Sequence, residues 1–356
     1  MTGAAADAGF VVPTPLEPGD CVAVVAPSGG HAAAHPTVYE LGLERLRDLG
    51  VEPVASPTAT ADDAFLAAHP EARARDVEAA FRDPEVGAVV ATIGGNDQIR
   101  LARHLDEGTL RDHPTRFLGL SDNTVLHAAL ASVGVVSWYG GHVMTDLAGS
   151  DGVPAYTRDG LARALFGEPS FDLEPASAFT DHNPEWSRPD FRGLEREWEP
   201  NPGWSWRGGD DRVTGRTWGG CLEVLGTLLA ADRYVPTADP DAEDLVLLLE
   251  TSEELPDVGA VNRLLLGLGE RGLLARAAAV LVGRPMARSH AVDRPPTERA
   301  AYREAQYDAV AAVVADYNPA VPVVCGLDFG HTAPTAVPPL GVRATVDPGA
   351  ETIRFG

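Results

Sequence analysis

Short apolar runs alternate with amphipathic stretches through the first half of the chain, and this alternation limits the possible folds more than any other feature. Three runs are apolar enough for strands buried on both faces: 21–27, 87–93 and 117–120. Four stretches carry apolar residues at helical spacing: 38–49, 71–82, 96–105 and 123–133. Such β/α units build a parallel sheet, so we predict an α/β fold with its ligand-binding loops at the carboxyl edge of the strands.

The second half returns to this alternation after an irregular segment. The predicted elements are, in order, a Gly-Gly-opened helix at 219–230, a strand ending at Glu250, a helix at 259–273, a strand at 278–283, a helix at 298–317, a strand at 322–327 and a strand pair at 341–355. We therefore predict an N-terminal domain over 1–167, a connecting segment over 168–216 and a C-terminal domain over 217–356.

The connecting segment is rich in Pro, Gly, Asp and Trp. Five of the six tryptophans lie in it or just after it: Trp186, Trp198, Trp204, Trp206 and Trp218. Because disordered linkers are poor in aromatic residues, we expect the segment to pack onto the domains. Its rings either cap a small core or form an aromatic surface over a cleft, where they would stack on a planar or apolar ligand.

The charge composition excludes several kinds of chemistry. All 28 basic residues among the 356 are arginine, so a Schiff-base lysine, a lysine nucleophile and a Gly-Lys-Ser/Thr phosphate loop are excluded. The 52 acidic residues leave a net charge of −24, which disfavours nucleic acid polymers and anionic membranes as partners. A GC-rich genome or a salt-tolerant surface would produce the same composition.

The cysteines and the N-terminal residues indicate a compartment. Cys21, Cys221 and Cys325 are widely separated in the sequence and are predicted to be buried thiols in a reducing environment. Residues 1–7 lack the basic and apolar parts of a secretory signal, and no apolar stretch reaches the roughly 18 residues of a membrane span. We expect a cytoplasmic protein.

A serine stands between a buried strand and a helix in the sequence FLGLSDNT. Ser121 would be presented on a sharp turn beside the N–H groups of the helix start, as a nucleophile is. The match to a hydrolase Gly-x-Ser-x-Gly turn is partial, because Asn123 replaces the second glycine. The alternative is that Ser121 or Asp122 caps the helix.

A serine nucleophile needs a base, and His331 is the best candidate among ten histidines. It follows an apolar strand and a glycine that would allow close approach. His127 is expected on the helix after Ser121, pointing away from its start. His31 and His35 have the spacing of metal ligands, but without acidic or cysteine neighbours they fit solvated helix residues better, so no metal site is predicted.

The orienting acid has a candidate at another strand end. Glu250 ends the run LVLLLE, and a carboxylate there is costly to bury unless it has a partner. Glu253 and Glu254 follow it and are expected to be exposed loop acids. Ser121, Glu250 and His331 could provide the nucleophile, acid and base of an acyl-transfer triad.

Seven motifs span the chain from about residue 19 to residue 347: GDCVAVVAPSG, TIGGNDQIRLARHLD, FLGLSDNTVLHAAL, GRTWGGCLEVLGTLL, LVLLLET, AVLVGRP and VCGLDFGHTAPTAVPPLGVRATVD. In this order and spacing they resemble the LD-carboxypeptidase family of serine peptidases, peptidase family S66. The family includes muropeptide LD-carboxypeptidases and microcin C immunity-type hydrolases. The resemblance implies an N-terminal Rossmann-like or flavodoxin-like parallel-sheet domain and a smaller C-terminal α/β domain.

The resemblance also implies roles for individual residues. Ser121 matches the nucleophile, Glu250 the acid and His331 the base, while the N–H groups of Gly95 and Asp122 match the oxyanion hole. The family needs no metal or organic cofactor, and it suggests a homodimer.

Two positions depart from the family pattern. Asn123 stands where an apolar residue is usual, and Gly95-Asn96-Asp97 replaces the more usual Gly-Tyr-Gly. The second change adds a polar side chain at the end expected to bind the substrate carboxylate, where Gly94 and Asn96 are the predicted binding residues, so substrate specificity can differ. The loop at Ser28 matches a family motif to which we assign a structural role.

The tryptophan-rich segment favours the microcin-immunity branch, in which an aromatic loop stacks on the nucleotide of a peptidyl- or aminoacyl-adenylate. Trp186, Trp204 and Trp206 are the predicted stacking residues. We therefore predict a serine hydrolase that cleaves an amide bond in a peptide or a peptidyl- or aminoacyl-nucleotide, such as a microcin C-type toxin, and gives resistance.

Three alternatives stay open. The first is a muramoyl-tetrapeptide LD-carboxypeptidase of peptidoglycan recycling. The second is a two-domain protein that closes on a small ligand without chemistry, with the tryptophan segment as its lid. The third is a folded family member that is blocked by its substituted 95–97 loop.

Overall fold

The computed structural model describes residues 9–237 and 242–356, so residues 1–7, on which the predicted location partly rests, lie outside it. The described residues form ten α-helices: α1 (His31–Ala34), α2 (Pro36–Asp48), α3 (Asp63–Ala68), α4 (Pro70–Arg82), α5 (Glu107–Asp112), α6 (Thr124–Ser132), α7 (Ala155–Phe166), α8 (Leu222–Ala231), α9 (Val258–Glu270) and α10 (Pro296–Tyr317). They form sixteen strands: β1 (Cys21–Val25), β2 (Glu52–Ala55), β3 (Val86–Ala91), β4 (Arg116–Gly119), β5 (Ser137–Tyr139), β6 (Phe171–Leu173), β7 (Ala178–Phe179), β8 (Glu199–Pro200), β9 (Ser205–Gly208), β10 (Val213–Cys221), β11 (Leu245–Glu250), β12 (Ala277–Gly283), β13 (Pro322–Leu327), β14 (Pro339–Leu340), β15 (Arg343–Asp347) and β16 (Thr352–Phe355).

The first sheet has six strands in the order β14-β5-β4-β3-β1-β2. Strands β1 to β5 are parallel, and β14, from late in the chain, joins β5 antiparallel. Val22 and Val24 of β1 pack into one core, whereas Ala23 and Val25 pack into a core on the opposite face. A strand covered on both faces must be apolar at every position, which is why β1 is a continuous apolar run.

The second sheet has eight strands in the order β6-β16-β15-β10-β11-β12-β13-β9. Strands β10 to β13 are parallel, and antiparallel strands complete both edges. All six residues of β11 are buried, including Glu250 at its carboxyl end. The predicted α/β fold with parallel sheets is confirmed.

Residues 168–216 contribute β6 and β9 to the two edges of the second sheet. Near the middle of this segment, buried Asp181 accepts hydrogen bonds from Arg288 Nε at 2.8 Å, from the Ala287 N–H at 3.0 Å and from Arg303. Removing this carboxylate would take a buried ion-pair partner from both Arg288 and Arg303, which is destabilising. The prediction that the segment packs onto the rest of the protein is confirmed.

One predicted helix is wrong. The pattern over 96–105 predicts a helix, but the structure contains only a single 3-10 turn at Gln98–Arg100. The N–H groups of Asp97 and Gln98 donate to the Asp122 carboxylate at 3.0 and 2.8 Å. This carboxylate holds the start of the stretch in a loop instead of a helical turn.

A second predicted helix begins later than expected. Gly219 and Gly220 do not open it but belong to β10, and α8 starts at Leu222. A Cβ on Gly219 would overlap the carbonyl oxygen of Leu248 on β11. The glycines therefore allow two parallel strands to approach each other closely, a role that their pattern in the sequence does not distinguish from a helix start.

No helix among the described residues is long and apolar enough to cross a membrane. Cys221 and Cys325 are buried free thiols, as predicted. Cys21, the first residue of β1, is only half-buried, so the prediction of a buried thiol is wrong at this position.

Candidate active site

The carboxyl ends of strands from both sheets meet at one place. Ser121 follows β4 of the first sheet, while Glu250 ends β11 of the second. Thr124, at the start of α6, accepts a hydrogen bond from the Cys221 N–H at 3.0 Å. This bond joins α6, the helix after Ser121, to the end of β10 beside Glu250. It therefore helps to hold the carboxyl edge of the first sheet against that of the second.

Ser121 lies on a strained turn. Its φ is +62°, in the left-handed region, which costs a non-glycine residue on the order of 1 kcal/mol. No side chain caps α6, so the alternative that Ser121 or Asp122 is its N-cap is wrong. Within the described part of the chain, the Ser121 hydroxyl donates to no other residue. The strained turn therefore does not cap the helix. It leaves the Ser121 hydroxyl available to a substrate.

The Asp122 side chain ties three strand-end loops together. Its buried carboxylate accepts hydrogen bonds from the Ser28 hydroxyl and from the N–H groups of Asp97 and Gln98. Burial raises the pKa of Asp122 despite these donors. The contact from Ser28 is consistent with the structural role that we assign to its loop.

The predicted oxyanion donors lie beside the serine and are unpaired. A Cβ on Gly94 would lie 2.8 Å from Ser121 Cβ and 3.0 Å from its Oγ, so only glycine leaves room for this side chain. Among the described residues, the N–H groups of Gly95 and Asp122 find no acceptor. Asn96 is exposed at the tip of the same loop, where it was expected to face substrate.

Glu250 and His331 are in direct contact. His331 Nδ1 lies 2.6 Å from Glu250 Oε2, and both side chains are largely buried. A Cβ on Gly330 would lie 2.6 Å from the same oxygen, which explains the glycine before the histidine. Burial lowers the pKa of His331, but the carboxylates of Glu250 and Glu253 outweigh this effect and hold it well above its ordinary value.

The second nitrogen of His331 contacts a residue that the sequence does not single out. Nε2 lies 3.1 Å from Glu253 Oε2, and this contact lowers the pKa of Glu253 to about 2. Within the described part of the chain, no hydrogen bond joins His331 to the Ser121 hydroxyl. Glu253 is exposed, as predicted, but it belongs to the site.

A buried tyrosine connects the serine turn to the acid. The Tyr139 hydroxyl accepts a hydrogen bond from the Ser121 N–H at 3.0 Å and donates one to Glu250 Oε1 at 2.6 Å. Burial and the neighbouring Glu250 raise the pKa of Tyr139 well above its ordinary value, so it stays protonated. Tyr139 ends β5, a strand of only three residues that periodicity does not predict.

Asn123, which replaces the apolar residue usual in the family, has polar partners in the structure. Its Nδ2 lies 2.8 Å from His142 Nε2, and its Oδ1 accepts a hydrogen bond from Gln98 Nε2 at 2.8 Å. The Leu120 N–H donates to the same His142 nitrogen at 3.0 Å. Burial lowers the pKa of His142 to about 3, so it is a neutral acceptor. The network holds the backbone on both sides of Ser121.

The three predicted stacking tryptophans fall into two groups. Trp204 and Trp206 contact each other, with 6.3 Å between ring centroids, beside the strand that leads to His331. Trp186 packs edge-on against His35 at 5.4 Å and His31 at 6.1 Å. All three are partly buried against the core, so each has a packing role in addition to any contact with ligand.

Three further histidines have packing or hydrogen-bond contacts. His31 and His35 both pack against Trp186 and are therefore not simply solvated. Residues 9–237 and 242–356 contain no group of three or more His, Cys, Asp or Glu side chains suited to a metal ion. His127 lies on α6, as predicted, and its ring nitrogens contact Ser137 Oγ and the Gly119 carbonyl at 2.8 Å each.

Comparison with known proteins identifies the family. The LD-carboxypeptidase N-terminal domain matches residues 22–140, and the LD-carboxypeptidase C-terminal domain matches residues 214–346. The chain belongs to the LD-carboxypeptidase family. The predicted family resemblance is confirmed, and the two matched ranges contain Ser121, Glu250 and His331.

Relatives of this LD-carboxypeptidase family member cover nearly its whole length. A Streptomyces coelicolor protein named as a carboxypeptidase is 32% identical, over 97% of this chain and 96% of its own. A Bacillus subtilis protein named as a murein peptide carboxypeptidase is 27% identical, over 96% and 92%. A crystal structure of an MccF-like protein from Streptococcus pneumoniae in complex with AMP superposes with a TM-score of 0.82 at 30% identity, over 95% and 98%.

Proposed function

We propose that this peptidase family member is a serine hydrolase with Ser121 as nucleophile, His331 as general base and Glu250 as the acid that orients the base. The observation that carries the proposal is the continuous set of contacts from the Ser121 N–H through the Tyr139 hydroxyl and Glu250 to His331 Nδ1. It connects the turn that presents the serine to the pair that would take its proton.

In the proposed reaction, the Ser121 oxygen attacks an amide carbonyl and its proton passes to His331 Nε2. Glu250 binds Nδ1, so Nε2 is the nitrogen left for the serine, and the imidazolium that forms lies beside a carboxylate. The leaving nitrogen takes this proton, and water, deprotonated by the same base, then releases the acyl group from Ser121. Before the first step, His331 Nε2 must lose its contact with Glu253 and form a hydrogen bond with the Ser121 hydroxyl instead.

The developing oxyanion would bind to the N–H groups of Gly95 and Asp122. Both are unpaired among the described residues, whereas the Ser121 N–H is already bonded to Tyr139. Each such donor contributes on the order of 3 kcal/mol to lowering the barrier. Because the Ser121 N–H is already engaged, the N–H groups of Gly95 and Asp122 are the better candidates for binding the oxyanion.

The proposed substrate is a peptidyl- or aminoacyl-nucleotide of the microcin C type, whose cleavage would give resistance. The AMP complex of the MccF-like relative and the half-buried tryptophans Trp186, Trp204 and Trp206 support a planar group in the cleft. A homodimer and a cytoplasmic location are further proposals, the first from the family resemblance and the second from the free cysteines.

A muropeptide LD-carboxypeptidase is the second candidate, supported by the murein peptide carboxypeptidase relative. Such an enzyme must bind a terminal carboxylate, and a cation usually does this. Beside the 94–97 loop, Arg73 is fully buried and pairs with Asp97 at 2.7 Å. Because Arg73 is already paired with Asp97, it is not available to bind a terminal carboxylate. This favours the nucleotide substrate over the muropeptide.

A two-substrate assay tests the proposed function. We expect hydrolysis of an aminoacyl sulfamoyl-adenosine with a kcat/KM at least about tenfold above that for a muramoyl tetrapeptide, since stacking of one base on an aromatic ring is worth about 1–3 kcal/mol. Liquid chromatography of the products would measure both rates. The opposite preference would support the carboxypeptidase, and cleavage of neither substrate would count against both candidates.

Tyr139→Phe tests the connection between the serine turn and the acid. We expect kcat to fall by about tenfold with KM unchanged, because both Ser121 and Glu250 lose a hydrogen-bond partner. Without this donor, the Glu250 charge acts more strongly on His331, so the acid limb of the kcat/KM profile should move to higher pH. Steady-state kinetics across the pH range would measure both effects.

A matched control is available on α2. Tyr39 is also buried, but its hydroxyl has no partner among the described residues, so Tyr39→Phe should leave kcat and the pH profile nearly unchanged. Equal effects of the two substitutions would show that Tyr139 has only a packing role.

A further inference from the structure

Glu253 contacts His331 Nε2, the nitrogen that must accept the Ser121 proton in the proposed mechanism. We propose that Glu253 is a specificity-determining residue, which binds an ammonium group beside the scissile carbonyl of the substrate and, in doing so, releases His331 Nε2 for Ser121. This inference rests on the proposed serine mechanism and extends it to the chemistry of the acyl part of the substrate.

The contacts of His331 define its resting state. A carboxylate only accepts hydrogen bonds, so an imidazole with Glu250 on Nδ1 and Glu253 on Nε2 donates from both nitrogens. An imidazole that donates from both nitrogens is protonated and cannot act as a base. Catalysis therefore requires that Glu253 gives up this contact.

The exposure of the two partners shows from which side Glu253 can be reached. The His331 side chain is 10% exposed, whereas the Glu253 side chain is 63% exposed. The carboxylate therefore covers the imidazole edge on the open side of the site. Within the described part of the chain, no arginine pairs with Glu253, and there is no lysine in the sequence. The replacement cation must come from the ligand.

The charges around His331 favour a cation over an anion. Glu250 and Glu253 contact it directly, and Asp146, on the π-helical segment Val143–Leu147, acts on it from the first sheet. His142, from the same region, is neutral. A ligand carboxylate at this position would be repelled, whereas an ammonium would neutralise Glu253.

An aminoacyl group has the required chemistry. Its α-ammonium lies on the carbon next to the carbonyl that Ser121 would attack, and an α-amino group has a pKa near 8, so it is largely charged at neutral pH. An N-acylated compound of the same shape lacks this charge. The proposed occupant of the position is therefore the free α-ammonium of an aminoacyl-nucleotide.

Binding to the full chain carrying Ser121→Ala tests this inference without turnover. The two probes are alanyl sulfamoyl-adenosine and its N-acetyl derivative, titrated by calorimetry at pH 7. We expect the free amine to bind about twofold to fivefold more tightly, the factor expected for a largely exposed ion pair. Adding Glu253→Gln should abolish this preference, whereas Glu254→Gln, a substitution of the adjacent exposed acid, should preserve it.

A second measurement examines the release of His331 in the protein with Ser121 intact. A fluorophosphonate forms a bond from phosphorus to the Ser121 oxygen, fluoride leaves, and the serine proton passes to His331. Without substrate, Glu253→Ala should label several-fold faster than the wild type, because alanine leaves Nε2 without this partner. An unchanged or slower rate would overturn the release step.

The outcomes separate this inference from the proposed function. Equal affinity for the two probes, or the same preference after Glu253→Gln, would overturn the role of Glu253. No binding of either probe would contradict the proposed nucleotide substrate and, with it, the role of Glu253. Continued cleavage of the probes by the Ser121→Ala protein would instead contradict the proposed nucleophile.

Discussion

Ser121→Ala is expected to lower kcat/KM for the aminoacyl sulfamoyl-adenosine by at least about 10⁴-fold, because removal of a triad nucleophile leaves only binding and oxyanion stabilisation. The fold should be retained, since the Ser121 hydroxyl makes no hydrogen bond within the described part of the chain. Alanine at φ +62° is strained to a similar extent as serine, so the melting temperature should change by only a few degrees.

Ser132→Ala is the matched control, since Ser132 ends α6 and donates only to the Ala129 carbonyl at 2.7 Å. It should keep near-normal turnover and should still be labelled by the fluorophosphonate at Ser121. Near-normal turnover of Ser121→Ala would rule out the serine mechanism, and loss of its cooperative melting would require a milder test such as Ser121→Cys.

Glu250→Gln is expected to lower kcat by about 10³- to 10⁴-fold with little change in KM. Glutamine has the same size but can donate its amide N–H to His331 Nδ1, which stabilises the wrong tautomer, and it no longer balances the imidazolium charge. Glu250 is one of two carboxylates that raise the pKa of His331. Since the neutral imidazole is the base, the acid limb of the residual kcat/KM should shift to lower pH.

Glu254→Gln serves as the control for this change, because Glu254 is an exposed acid on the loop after the same strand. It should leave kcat and the pH profile close to those of the wild type. A Glu250→Gln enzyme within about tenfold of normal would mean that the contact with His331 is structural and that another group orients the base.

Much of the fold can be predicted from the sequence, because a parallel strand that is buried on both faces must be apolar at nearly every position. β1, β13 and the first five residues of β11 are apolar, and the carboxyl ends of neighbouring parallel strands lie at one edge of a sheet. Glu250 and His331 could be predicted for this reason, as polar residues at the ends of apolar runs. Their contact at 2.6 Å agrees with that reasoning.

The missed residues belong to elements without a periodic signal. Tyr139 lies on a three-residue strand, and Glu253 is an exposed acid with two further acids close by in the sequence. Asn123 and His142 form a buried polar contact that joins positions 19 residues apart. Each depends on a partner that is distant in the sequence, so local pattern cannot indicate it.

The two-residue strand β14 has a consequence for the order of assembly during synthesis. Pro339 and Leu340 come after the predicted base, His331, yet they complete the sheet that carries Ser121 by pairing with β5. Residues 339–340 must therefore leave the ribosome before this edge closes. The sheet that carries Ser121 therefore gains its β14 edge only after the segment with Glu250 and His331 has been synthesised.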